Sequence, residues 1–271
     1  MKTNKRDFSA EHIRYLKKQR NSRILTMVAR FSILILFLLL WELAARLNWI
    51  DAFIMSSPSR ICNMIGQLAS TGELWYHSWV TLYENILGFA LSTCIGTAVA
   101  ILLWWSVRLR NVLDPYIVVL NSLPKIALGP IIIIWVGAGT NAIIFMAILI
   151  SVVITIINML TAFTSCDKNK ILLLQSMGAN KFQILTKLII PYSMPAFLSV
   201  LKINVGLSWV GTIMGEYLVS KAGLGYLIVY GGQVFKLDLV MASTVVLCVL
   251  AAVMYLLVSL LEKYLYRKRQ Q

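Results

Sequence analysis

Residues 167–195 read DKNKILLLQSMGANKFQILTKLIIPYSMP. This is the one long polar-punctuated break in an otherwise apolar second half. It carries Lys168, Lys170, Lys181 and Lys187. Apolar residues recur at helical spacing, Ile171, Leu174 and Met177, then Phe182, Leu185 and Leu188. Gly178-Ala179-Asn180 lies between the two sets, and Gly followed by Asn is helix-stop and turn chemistry. Pro191 suits the first turn of a further helix, where a missing N–H costs nothing. The spacing therefore predicts a short amphipathic helix, a turn, a second short helix and then a membrane span. Such an element on the lysine-rich side is shaped to meet a soluble partner. A plain solvated connection is the competing reading.

Working outward, the 271 residues are 59% hydrophobic and only 13% charged, with mean hydropathy +0.78. A soluble domain carries roughly a quarter charged residues, so this composition is that of an integral membrane protein. Spans in lipid must satisfy their own backbone, which makes them helical. The net charge of +14 would point to nucleic acid in a soluble chain. Here the cations cluster between apolar runs, so they report topology and contact with the lipid bilayer, not nucleic acid. Cys62, Cys94, Cys166 and Cys248 are isolated from one another. With no CxxC or His/Cys cluster, neither a disulfide framework nor a metal site is expected, and no cofactor is implied. His12 lies in a basic tail and His77 in an aromatic interfacial stretch, and both read as incidental.

Six spans follow from the pattern. Residues 1–23 form a basic cytoplasmic arm, followed by a membrane domain over 24–271 whose first, uncleaved span covers about Ile24 to Leu47. Glu42 and Arg46, four apart, are placed to pair. Pro58 opens a short helix closed by Thr71-Gly72, and Trp75, Tyr76 and Trp79 read as an interfacial belt. The second span, about Thr81 to Ser106, holds Gly88 and Gly96, small residues that permit close helix approach. The third, from near Asp114-Pro115 to Val136, is interrupted by Pro124, Lys125, Gly129 and Pro130, so it must kink or break. The fourth covers about Ala142 to Phe163 and the fifth about Pro191 to Val219, with Gly206 and Gly211 as packing residues. A glycine-rich loop over 220–238 precedes the sixth, about Leu239 to Leu261. Nineteen Lys and Arg then fall on the side of the termini and of residues 167–190, against three on the other, Arg60, Lys221 and Lys236. That asymmetry predicts both termini in the cytoplasm of a multi-pass plasma-membrane protein.

The central element resembles the cytoplasmic loop of permease subunits of ABC importers with the type I fold. That pattern is Glu-Ala-Ala, three residues, Gly, nine residues, Ile, one residue, Leu-Pro. Gly178, Leu188, Ile190 and Pro191 match its spacing, whereas Leu172-Leu173-Leu174 replace the Glu-Ala-Ala and remove a carboxylate. The stretches LDPYIVVLNSLPKIALGPIIIIWVGAG and GLSWVGTIMGEYLVSKAGLGYLI are similar to the branch serving nitrate, sulfonate, taurine, thiamin-precursor and riboflavin transport.

The resemblance implies an all-α permease with 167–190 as the loop that couples to ATPases. It implies two cytoplasmic ATP-binding subunits, a second permease (a homodimer or a sister chain) and an extracellular or periplasmic substrate-binding protein. ATP hydrolysis would belong to the partners. Leu172, Leu173, Leu174, Gln175, Met177, Gly178, Ala179 and Pro191 are the coupling candidates. Leu173, Leu174 and Met177 are expected to form an exposed apolar knob for a groove. No Gly-Lys pair occurs, so the chain lacks a Walker A site of its own.

Ionisable residues in apolar runs are functional candidates, and Lys125, Lys202 and Glu216 are the substrate-pathway set. Lys125 has the alternative of snorkelling or binding carbonyls freed by the prolines. Lys202 and Glu216 are about 21 Å apart along a helix, too far to pair with each other. An ion-coupled secondary transporter is the alternative function, favoured by the broken third helix and the intramembrane charges. A membrane enzyme should cluster His, Asp or Ser on one membrane face, and no such cluster is evident.

Overall fold

The structure, a computed structural model, describes residues 10–269. Lys2, Lys5 and Arg6 of the basic arm lie outside them. Two compact units divide the chain, residues 1–63 and 64–271.

The first unit is dominated by α1 (Ala10–Arg46), which carries the first apolar span. In that span Ala45 is buried, whereas its Leu, Ile and Phe side chains are exposed. Arg46 Nε and Glu42 Oε1 are 2.9 Å apart. The Glu42 carboxylate also accepts from the Ser59 backbone N–H at 3.0 Å and from the Ser59 hydroxyl at 2.9 Å. A short α2 (Ala52–Met55) is N-capped by Asp51, and α3 (Pro58–Thr71) leads into the second unit. It ends as expected at Gly72, whose φ of 82° is left-handed.

The second unit is built on three long helices, α4 (Glu73–Trp105), α7 (Thr140–Thr164) and α10 (Ile190–Val219). Glycines bring them together. A Cβ on Gly88 would meet Ala147 Cβ at 2.5 Å, one on Gly96 would meet Thr155 Cβ at 2.6 Å, and one on Gly211 would meet Ala147 Cα at 2.5 Å. Only hydrogen fits there, so α4 and α10 close on α7 with backbone nearly touching backbone. Gly206 differs: a Cβ there meets nothing, so it is not a packing residue within this chain.

Between these helices lies a buried polar layer. Asn204 donates to Thr93 Oγ1 at 3.0 Å and to Thr155 Oγ1 at 2.8 Å, and Asn85 donates to Ser208 at 3.3 Å and Thr212 at 3.4 Å. Hydrogen bonds between helices replace the hydrophobic drive that lipid cannot supply.

The third span is broken, as the prolines require. Helix α5 (Val107–Ser122) and α6 (Gly129–Val136) meet through a 3₁₀ turn at Lys125–Leu128 with an 88° bend. Its start differs from expectation: the helix begins at Val107, N-capped by the Ser106 hydroxyl, and carries Pro115 in its interior. Among the described residues five helices are long and apolar enough to cross a membrane, or six if the bent pair is one span.

One expected loop is a helix. Residues 220–238 contain α11 (Leu224–Gln233), which precedes α12 (Leu237–Arg269). Its glycines do not prevent it, because Leu224 and Leu227 are buried in the main apolar cluster with Trp209 and Leu239.

Candidate functional site

Two arrangements stand out, one at each end of the bundle. The first is residues 167–190. Asp167 Oδ1 accepts from the Asn169 N–H at 2.9 Å and starts α8 (Lys168–Ser176). The helix stops at Gly178, whose φ of 80° is open to glycine, while the Ala179 N–H donates to the Leu174 carbonyl at 2.9 Å. Asn180 and Gln183 form a reciprocal capping box at 2.8 and 2.9 Å that starts α9 (Lys181–Ile184). No break then separates α9 from the span. A π-turn at Leu185–Ile189 runs straight into α10, with Pro191 in its first turn. The wide turn sits where Pro191 cannot donate to the carbonyl four residues back.

The faces of this element are distinct. Ile171, Leu174, Ala179, Ile184 and Leu185 turn inward onto Ala100, Met159, Phe163 and Cys166. Leu172, Leu173, Met177 and Phe182 point out, at 64, 60, 74 and 62% exposure. Leu174 therefore leaves the expected knob, and Leu172 takes its place. In a nine-residue helix with three successive leucines, only packing decides which one faces in. Gln175 is exposed, and Pro191 is partly buried.

A latch that the sequence did not reveal fixes the element to α4. The Lys181 ammonium donates to the Trp105 carbonyl and lies 5.9 and 5.5 Å from the ring centres of Trp104 and Trp105. Trp104 and Trp105 are the last two residues of α4.

The second arrangement is at the opposite end. Three successive N–H groups at the start of α11 are each met by a side chain. Gly223 donates to His77 Nδ1 at 2.9 Å, Leu224 to Thr81 Oγ1 at 2.8 Å, and Gly225 to Glu216 Oε2. His77 is thus a helix cap rather than incidental. Glu216 is 1% exposed and Glu84, beside it, is also 1% exposed. The signal for this set was available: His77, Thr81, Glu84 and Asn85 share one face of α4 at helical spacing.

The three pathway candidates do not converge. Lys125 Nζ donates to the Asn121 carbonyl at 3.1 Å, across the break in the third span. Lys202 pairs with Glu262 on α12. Glu216 holds α11. Among the described residues no cluster of three or more His, Cys, Asp or Glu is arranged to hold a metal ion.

A many-helix membrane protein, with a rigid amphipathic element between two of its spans, has the build of a transport subunit. The chain belongs to the family described as the binding-protein-dependent transport system inner membrane component, whose pattern matches residues 92–271.

It is 30% identical to the riboflavin transport system permease protein of Chloroflexus aurantiacus, across 86% of this chain and 87% of that one. It is 26% identical to the taurine transport system permease protein of Escherichia coli, across 86% of each. In fold it is similar to the inward-facing MetNI methionine ABC transporter, with TM-score 0.61 and 20% identity over 69% of this chain and 93% of that one. A bacterial ABC transporter importing alginate gives TM-score 0.63 at 16% identity over 92% of this chain and 99% of that one.

The protein is therefore a multi-pass permease subunit of an ABC importer and is not itself an enzyme. That answers the ion-coupled alternative, and a binding protein is the partner the family defines.

Proposed function

We propose that residues 167–190 dock onto ATP-binding subunits, with α8 as the coupling helix. The observation that carries this is the outward apolar set Leu172, Leu173, Met177 and Phe182 on an element latched to α4 at Lys181 and continuous with α10. An exposed apolar face on a short helix suits helix-in-groove recognition. The capping box, the Lys181 latch and the continuous run into α10 let a push on α8 reach the span as a rigid motion. Two ATPases serve two permeases, the second being a copy of this chain, and a binding protein delivers solute at the α11 end. Both termini lie with the coupling element in the cytoplasm, in keeping with the nineteen-to-three distribution of cations. The solute is a small sulfonate-like anion or a vitamin precursor, the classes named for the relatives.

The test is co-purification with the cognate ATPase. Met177 is 74% exposed, so Met177→Glu spares the fold while placing a charge on the docking face. Wild type should recover the ATPase and the variant should not. Equal recovery would remove α8 from the interface. Uptake of labelled taurine against riboflavin by the assembled importer separates the solute classes.

A further inference from the structure

A cavity of about 580 Å³ lies behind α8, lined by the ends of α4, α5 and α7 and by α8 and α9 themselves. None of the outward docking side chains Leu172, Leu173, Met177 and Phe182 lines it. Arg110, Lys168 and Lys181 line it, and no carboxylate does. Among the described residues neither Arg110 nor Lys168 has an ion-pair partner. Lys181 is held by Trp105 and its neighbouring ring, which fixes the ammonium in place. The remaining wall is apolar, with Phe163, Ile171 and Ile184 on it.

Position decides what such a cavity would take. α4 stops at Trp105, α7 stops at Thr164, and the long run into α10 starts at Lys181. The three cations therefore sit at the level where spans leave the hydrocarbon and meet headgroups. A free anion would use the charges but not the apolar wall. A phospholipid uses both, its phosphate meeting the guanidinium and ammonium groups while its glycerol and upper acyl carbons lie along the wall.

We propose that this cavity holds the phosphate headgroup of an anionic phospholipid, gripped by Arg110, Lys168 and Lys181. The bound lipid cements α8 to the span ends, so the lipid composition of the membrane sets how firmly the coupling element is held. The proposal stands on the cavity and the span ends, not on ATPase docking. Lipid retention by the isolated full chain reads the one, and co-purification reads the other.

The experiment reconstitutes the full chain in bilayers of phosphatidylcholine and phosphatidylglycerol, extracts it, and counts retained lipids by native mass spectrometry. Wild type should retain phosphatidylglycerol in preference to phosphatidylcholine. Lys168 is exposed, so Lys168→Ala keeps the fold and should lower that retention about fivefold. Adding Arg110→Ala should bring the loss to about thirtyfold. The charge-keeping pair Arg110→Lys with Lys168→Arg should retain lipid as wild type does. Lys263→Ala, a cation outside the cavity, should change nothing. Equal retention of the two lipids by wild type, or unchanged retention in Lys168→Ala, overturns the proposal. So does protection against heat by inorganic phosphate without any lipid preference, which assigns the cavity to a free anion.

Discussion

Thr81 serves two helices with one oxygen. It accepts from the Leu224 N–H at 2.8 Å and donates to the His77 carbonyl at 3.1 Å, and it is fully buried. Replacing it by the near-isosteric Val keeps the packing and strands the Leu224 N–H with no water to replace the hydroxyl. Thr81→Val should cost about 1–3 kcal/mol, read as a lowered melting temperature of the purified protein, whereas Thr81→Ser should restore most of it. A Thr81→Val variant as stable as wild type would show that α11 does not depend on this bond. His77 and Glu216 act alongside it, one N–H apart on either side. The polar face of α4 was legible, but its partners were not, because Gly223 and Leu224 lie more than a hundred residues from His77 and Thr81. Lys202 is a similar case. Its charge was visible in the sequence, but its partner Glu262 is set by how α10 crosses α12.

At the scale of elements, glycine positions predict opposite outcomes on one helix. Gly211 and Gly206 both lie on α10 and both read as packing residues. A Cβ at Gly211 would fall 2.5 Å from Ala147 Cα, an atom of the backbone that cannot move aside, whereas one at Gly206 meets open space. Gly211→Ala should force α10 off α7 and sharply lower thermal stability. In the detergent-isolated single chain, Gly206→Ala should leave it unchanged or raise it by about 0.5–1 kcal/mol, the helix preference of Ala over Gly. Two equally harmful variants would contradict this packing. The elements themselves were largely legible: spans by apolar length, the third-span break by Pro124 and Pro130, the central element by its lysines and turn residues. Where the reading failed, tertiary contacts decided. Helix α11 looked like a glycine-rich loop because its stability comes from caps on α4 and α10 and from Leu224 and Leu227 in the core. Leu174 looked exposed because nothing local separates it from Leu172 and Leu173. The Lys181 latch predicts that Lys181→Ala leaves ATPase recovery intact yet lowers ATP-driven uptake, since α8 would still dock but move without α4. Unchanged uptake would show that the latch transmits nothing.

For the whole molecule, the open question is what covers the face of α10 that this chain leaves bare. Ile203, Val210 and Tyr217 are exposed at 46, 43 and 38%, and Gly206 lies on the same stripe. Their spacings of three, four and seven residues put them on one side of the helix. A glycine in the middle of an exposed stripe lets another helix come close, which lipid does not need. The apolar side of α12 is bare as well, but its stripe is of bulky residues such as Leu256 and Leu257, at 58 and 62%. Those suit acyl chains. A second copy of this chain should therefore meet the first along α10. With Cys62, Cys94 and Cys248, the exposed cysteines, replaced by serine, Val210→Cys should form a disulfide-linked dimer in native membranes under mild oxidant. Leu256→Cys in the same background should stay monomeric on a non-reducing gel. Should Leu256→Cys cross-link and Val210→Cys not, the pore would have to be built on α12, and the bare glycine stripe of α10 would face lipid after all.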